Sequence, residues 1–284
     1  MQQERRHRLL SQPSVLADHV ADVLFPQTAQ AHDELRRHGT SWTASAVLFL
    51  LHDPPSCAPE EGPSLVLNKR SLNVPQPGDL CCPGGGISRR WDPLIARALD
   101  TRYVSPGLQP LRRWSHLDLL ERSDPNRRAI ALLLATALRE GFEEMRLLPL
   151  GVSFVGLLPT QRLRLLRRAI HPVVARLDRP QRFRTNWEVD SVVSIPLRFL
   201  LDPTRYARYR VRFEDNPKAN ERMREDFICF RHEHDGKTEI LWGATYRITA
   251  TFLESVFDFT PPPPASLPLV HATLDAAYLT GQKR

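Results

Sequence analysis

The sequence is short of cysteine, of glycine and of long apolar runs. Its 284 residues hold four cysteines, Cys57, Cys81, Cys82 and Cys229. None forms a CxxC pair or a zinc-finger spacing. Adjacent Cys81 and Cys82 would make only a strained disulfide with each other. A disulfide scaffold is therefore excluded, and a reducing, cytoplasmic setting is expected. No run approaches the roughly 18 apolar residues that cross a bilayer. Met1–Leu10 has charges but no apolar core behind them, so neither a membrane span nor a secretory signal is expected. Glycine stands at 13 residues against 25 prolines, which favours stiff connections over flexible linkers. There is no internal repeat.

What is present suits a folded chain with a sizeable core: 42% hydrophobic and 25% charged residues. The formal charge is +7, from 39 Lys and Arg against 32 Asp and Glu. The basic residues are nearly all Arg, whose planar fork of donors matches phosphate oxygens. That balance fits a polyphosphate ligand, a nucleic acid, an anionic surface or plain solubility, and does not choose among them.

Residues 1–40 are polar and read as an N-terminal appendage of one or two short helices, with Leu16, Val20, Val23 and Leu24 on one face. Ala44–Leu51 and Ser64–Lys69 read as buried strands, separated by a proline-rich loop over Asp53–Pro63. Pro75–Gly86 (PQPGDLCCPGGG) frames a short apolar piece with Pro and Gly. Its three consecutive glycines make either a tight turn or a backbone that a ligand can approach closely. Ser88–Asp124 has no clear period and reads as an excursion. A largely buried helix follows, with Asp124 as N-cap and Pro125 in its first turn. Val152–Leu158, Val173–Leu177 and Glu188–Pro196 read as strands. Phe227–Arg231 and Thr238–Trp242 flank Asp235-Gly236, a hairpin signal. Ala250–Phe257 reads as a helix. Pro261–Pro264 is expected to end the compact part, leaving residues 261–284 as a loosely docked tail.

The last turns of the long helix carry Arg139-Glu140-Gly141-Phe142-Glu143-Glu144. Residues three and four apart share a helix face, so Glu140, Glu143 and Glu144 converge. Three such carboxylates repel one another unless neutralised, and a hard cation such as Mg²⁺ does that through oxygen ligands. A solvated acidic helix end accounts for the same residues, although acids near a helix C-terminus oppose its dipole.

Taken with Pro83-Gly84-Gly85 upstream, this stretch resembles the signature of the Nudix hydrolases: a glycine loop after a strand, then a helix bearing Arg-Glu-apolar-x-Glu-Glu. The resemblance implies that Glu140, Glu143 and Glu144 bind Mg²⁺ or Mn²⁺ and carry the catalysis, with Arg139 positioning one of them. Three departures stand out. Gly85 to Arg139 spans 54 positions, about 40 more than the family's loop, which places an insertion over about 88–124. No glutamate within it is an obvious equivalent of the one that normally precedes the helix. Gly141 replaces an apolar residue, and Arg146 stands where the signature ends in glycine.

A second similarity lies outside the signature. Leu67-Asn68-Lys69-Arg70-Ser71, Pro77-Gly78-Asp79 and Leu80-Cys81-Cys82-Pro83-Gly84-Gly85 are similar to the motif preceding the Nudix box in coenzyme A pyrophosphatases. Pro172-Val173-Val174, Asn186-Trp187-Glu188-Val189, Ile195-Pro196-Leu197 and Trp242-Gly243-Ala244-Thr245 also look like that subgroup. The resemblance implies an α/β fold, the Nudix-type α/β/α sandwich with a mixed sheet, over residues 41–260. It implies hydrolysis of a pyrophosphate bond, in coenzyme A or an acyl-CoA, to 3′,5′-ADP and (acyl-)4′-phosphopantetheine. ADP-ribose or another dinucleotide is the alternative substrate, and a non-catalytic nucleotide-binding domain the alternative role. Lys69, Arg70, Gly84, Gly85 and Glu188 are the expected substrate contacts, with Glu188 also a candidate metal ligand or base. The expected partner is a small nucleotide, neither nucleic acid nor a membrane.

Overall fold

The computed structural model describes residues 2–37, 42–53, 62–100, 111, 114, 116–121, 123–149, 151–163, 167–214, 225–275 and 278. Cys57, most of the proline-rich loop and part of the 88–124 stretch lie outside the described residues.

The chain forms helices α1 (Gln2–Ser11), α2 (Pro13–Thr28) and α3 (Ala31–Arg36), then strands β1 (Thr43–His52), β2 (Ser64–Arg70), β3 (Leu80–Cys81) and β4 (Gly84–Gly86). Helices α4 (Asp92–Leu99) and α5 (Pro125–Met145) precede β5 (Val152–Leu157), β6 (Gln161–Leu163), β7 (Arg168–Leu177) and β8 (Val189–Pro196). The short helix α6 (Leu197–Leu200), β9 (Tyr206–Phe213), β10 (Phe227–His234), β11 (Lys237–Leu241), α7 (Gly243–Phe257) and β12 (Leu269–Leu274) complete the order.

Among the described residues the main sheet is mixed and eight-stranded. Its central path is β3-β2-β1-β7-β5, with β4 on β1, β6 on β7 and β8 on β2. β1 and β7 run parallel, from Thr43 opposite Arg168 to His52 opposite Leu177. β1 reads as a continuous apolar run because both of its faces are covered. Leu48 lies beneath α5 at Gly141, while the ring of Phe49, pointing the other way, packs 4.6 Å from Phe252 of α7. Helices thus lie on both faces of a mixed sheet, as the sandwich expectation requires. A second sheet runs β11-β10-β9-β12. Its hairpin turns at Asp235 (φ 50°) and Gly236 (φ 73°), the paired positive φ of a type I′ turn.

Several boundaries differ from expectation. Three N-terminal helices form, and they join the main core rather than hanging from it. Leu16, Val20 and Leu24 are buried there, with Val23 partly so. Thr28 Oγ1 accepts the Leu157 amide at 2.9 Å, and Arg6 donates to the carbonyls of Phe257 (2.9 Å) and Asp258 (2.6 Å), capping the end of α7. α7 begins at Gly243, seven residues before the expected Ala250. The segment after Pro264 is not loosely docked: β12 pairs parallel with β9, and Tyr278 is buried. The 88–124 stretch contributes α4 and buries Leu111 and Trp114.

Candidate active site

Helix α5 is built as its sequence dictates. The Asp124 carboxylate accepts the Asn126 amide at 2.7 Å, and Pro125 occupies the first helical position. Its other end closes at Arg146 with φ 57° and ψ 32°. The left-handed turn that glycine would take without strain is thus taken by Arg, at a cost of about 1 kcal/mol. The Arg146 guanidinium lies 5.2 Å over the Phe142 ring, and the Leu147 amide donates to the Gly141 carbonyl at 3.2 Å. A Cβ at position 141 would stand 3.1 Å from Leu147 Cδ2, so glycine there lets Leu147 fold back onto the helix.

The glycine strand lies against the glutamates. A Cβ on Gly84 would meet the Ala46 carbonyl oxygen and the Val47 Cα at 2.5 Å, and one on Gly85 would collide with the Glu140 carboxyl group. At 84 only glycine lets β4 pair so closely with β1, and at 85 a Cβ would push the Glu140 carboxyl group aside. Glu144, from the same helix, is buried. Its Oε2 accepts two donors, Asn68 Nδ2 at 2.8 Å and the Gly84 amide at 3.2 Å.

Arg139 ties the cluster to α4. Its Nε donates to Asp92 Oδ1 at 2.6 Å and its Nη2 to the Gly86 carbonyl at 2.9 Å. The same guanidinium reaches Glu140 at 2.9 Å and both Glu143 oxygens at 3.2 Å. Asp92 is fully buried and also accepts from Thr136 Oγ1 and the Ser88 amide, each at 2.7 Å. Burial opposes its ionisation, but these three partners outweigh burial and hold its carboxyl below the ordinary value. Asp92 is an acid supplied by the intervening stretch.

Charge in the cluster is not fully compensated. Burial pushes the Glu140 carboxyl up, against the pull of Arg139. Burial pushes Glu144 further, up to about 7, with the charges of Glu140 and Glu188 adding to it and the bonds from Gly84 and Asn68 opposing it. Glu143 is half-exposed and turned to Arg139.

The structure brings Gly84, Gly85, Arg139, Glu140, Glu143 and Glu144 together. Glu188 is near enough to act on Glu144, and its backbone carbonyl accepts the Ser71 amide at 2.8 Å. The charged ends of Lys69 and Arg70 are engaged elsewhere: Lys69 pairs with Glu239 at 2.5 Å, and Arg70 Nε donates to the Pro75 carbonyl at 2.7 Å. Two site residues escaped the sequence reading, Asn68 and Asp92. A polar Asn directly after the apolar run Leu65–Leu67, still within the strand, was the available signal for the first. Among the described residues, no three His, Cys, Asp or Glu side chains already stand grouped as a metal site.

No family model matches the chain, and no curated protein matches it. Solved structures resembling it include a Nudix hydrolase from Alicyclobacillus acidocaldarius, at 14% identity over 80% of this chain and all of that one, with a TM-score of 0.40. The C. elegans Ap4A hydrolase binary complex is 10% identical over 56% of this chain and 83% of that one, with a TM-score of 0.34. The Nudix domain of Shewanella oneidensis NrtR, solved with ADP ribose, is 16% identical over 58% of this chain and 80% of that one, with a TM-score of 0.32.

Proposed function

We propose that this chain is a Nudix-type hydrolase that cleaves the pyrophosphate bond of a nucleoside diphosphate derivative with the help of Mg²⁺ or Mn²⁺. One observation carries the reading. Two glutamates of one helix, the partly buried Glu140 and the buried Glu144, lie directly against the Gly84–Gly85 backbone.

The residues present fit a divalent cation. The donors are carboxylate oxygens, the set a hard cation prefers. Both carboxyls are pushed toward protonation, which is what added positive charge would relieve. The buried Asn68 Oδ1 beside them has no hydrogen-bond partner. Glu140 and Glu144 would hold the cation, with Glu143 at its edge. When bound, such a cation would supply Lewis-acid chemistry, offsetting negative charge on the phosphates.

The protein's own residues do the rest. Gly84 and Gly85 present backbone without side chains, so a phosphate group can come close. Arg139, fixed by Asp92 and Gly86, holds Glu140 and Glu143 in place. Glu188 is our candidate to take a proton from an attacking water. Lys69 and Arg70 each keep donors beyond those given to Glu239 and Pro75, and these are the proposed phosphate contacts.

Coenzyme A or an acyl-CoA is the substrate we favour, because the two motifs resembling that subgroup fold as one unit. Asn68 lies opposite Cys81 across β2 and β3, the Arg70 amide donates to Asp79 at 3.0 Å and the Gly78 amide to Arg70 at 2.9 Å. No helix of the described residues is long and apolar enough to cross a membrane; a cytoplasmic location is proposed from cysteine usage. Residues 41–260 are proposed as the catalytic domain.

The test is a product assay with Mg²⁺ or Mn²⁺ and a panel of coenzyme A, ADP-ribose, NADH and diadenosine polyphosphates. The reading expects 3′,5′-ADP and 4′-phosphopantetheine from coenzyme A, abolished in Glu144→Gln. Turnover of ADP-ribose alone would replace the substrate. No turnover of any member, with nucleotide binding retained, would leave a binding domain instead.

A further inference from the structure

The segment after β7 runs back along the last turn of the glutamate helix and is fixed to it. The Arg184 amide donates to the Met145 carbonyl at 3.0 Å and the Asn186 amide to the Glu144 carbonyl at 2.9 Å. The Gln181 side chain bonds both the amide and the carbonyl of Leu148, at 2.9 and 3.0 Å. On its far side, Ser71 Oγ donates to the Trp187 carbonyl at 2.7 Å, and the Ser71 amide donates to Glu188. Asn186 Oδ1 accepts the Glu188 amide at 2.8 Å. The backbone around Trp187 is therefore pinned from two directions.

Its side chain is not. Trp187 is 65% exposed, and Leu72, next to Ser71, is 58% exposed. The other exposed aromatics, Trp91 and Phe142, each lie under an arginine of their own neighbourhood, Arg90 at 4.9 Å and Arg146 at 5.2 Å. Among the described residues no ring or guanidinium covers Trp187. A large apolar ring left in water on a rigid backbone loses little entropy when a flat partner settles on it. Its place singles it out further. It directly follows Asn186, whose amide is bonded to the Glu144 carbonyl at 2.9 Å, and it follows the exposed Arg182 and Arg184 on the same pinned segment.

We propose that Trp187 is the base-stacking subsite of the candidate active site and binds the heteroaromatic base of a nucleoside diphosphate. The inference rests on the reading of that site as one for nucleotides. Trp187 contributes recognition of the base, while the glutamates and the glycine strand act on the phosphates.

The test is equilibrium binding of ADP and of inorganic pyrophosphate to the full chain in Mg²⁺, by calorimetry. Stacking on one aromatic face predicts that Trp187→Ala weakens ADP binding about tenfold. Trp187→Phe, which keeps a ring, stays within about threefold of the wild type, and pyrophosphate binding to Trp187→Ala within about twofold. The exposed position predicts an unchanged unfolding midpoint for both variants. Undiminished ADP binding by Trp187→Ala overturns the assignment. So does an equal loss for ADP and pyrophosphate, and so does a wild type that fails to bind ADP. Failure of the hydrolase reading looks different: the binding split persists while no pyrophosphate bond in the panel is cleaved.

Discussion

Asn68 Nδ2 lies 2.8 Å from Glu144 Oε2, so the middle of strand β2 holds the carboxylate that ends the glutamate helix. The Gly84 amide shares that oxygen at 3.2 Å. Two donors on one oxygen fix the carboxylate plane and leave Oε1 for other partners. Asn68→Ala should therefore lower Mn²⁺ affinity and kcat/KM by about 10- to 100-fold, the range seen when a residue supporting a metal ligand is removed. Asn68→Asp should be worse, because it sets a second carboxylate against Glu144. Mn²⁺ titration followed by electron paramagnetic resonance checks this independently of turnover. Wild-type Mn²⁺ affinity in both variants would show that Asn68 only fills space.

Glu144 predicts a pH dependence of stability in metal-free protein. Its carboxyl is pushed from an ordinary 4.5 up to about 7, by burial first and then by Glu140. The folded state binds that proton more tightly than the unfolded state. The contribution is therefore complete below about pH 4.5 and is lost as pH rises through about 7, a loss on the order of 3 kcal/mol. In EDTA, Glu144→Gln should gain stability relative to the wild type between pH 5 and pH 8. Urea midpoints at the two pH values measure it, and parallel curves for the two proteins would refute the assignment.

Much of this site was legible in the sequence, and what was missed has a common physical cause. Pro83-Gly84-Gly85 and the Arg139–Glu144 stretch are local patterns, since helical periodicity alone puts Glu140 and Glu144 on one side. Asp92 and Asn68 are not local. Asp92 reaches Arg139 from 47 positions away and Asn68 reaches Glu144 from 76, so only the fold pairs them. The core strands β1 and β2 were readable as apolar runs. β9 was not, although Tyr206–Phe213 alternates apolar residues with Arg208, Arg210 and Arg212. β12 is short and follows four consecutive prolines, and its pairing with β9 depends on a strand more than 50 positions earlier. The N-terminal helices were seen as an amphipathic face, but nothing in that face tells what covers it. Arg146 stands where the signature ends in glycine, and it adopts the left-handed backbone that glycine takes without strain.

The Arg139–Asp92 pair makes a prediction about the intervening stretch. Asp92 is fully buried and Arg139 largely so, and removing the Asp92 carboxylate leaves Arg139 Nε, Thr136 Oγ1 and the Ser88 amide without that acceptor. Asp92→Ala should cost on the order of 3 kcal/mol. Arg139→Lys should not be tolerated, because one ammonium cannot span Asp92, Gly86 and Glu143 as the guanidinium fork does. Urea unfolding gives the cost. A loss below about 1 kcal/mol for Asp92→Ala, the range of an exposed ion pair, would mean that α4 does not brace the helix.

Tyr278 couples the C-terminal segment to the loop leading into the glycine strand. Its hydroxyl donates to Asp79 Oδ2 at 2.6 Å, its carbonyl accepts the Gln76 amide at 2.6 Å, and Trp242 Nε1 donates to the other Asp79 oxygen at 3.0 Å. Burial pushes the Asp79 carboxyl up, and these two side-chain donors oppose that push. Tyr278→Phe removes one donor while keeping the ring, so it isolates the hydrogen bond from the packing against Phe213 and Trp242. A buried carboxylate deprived of a donor should cost about 1–3 kcal/mol. The loosening should be local: amide exchange should accelerate at Gln76, Gly78 and Asp79, which sit on the loop, and stay slow in β1 and β7. Uniform acceleration across the sheet would indicate global destabilisation instead. Unchanged exchange at Gln76 would show that the C-terminal segment packs beside the loop without holding it.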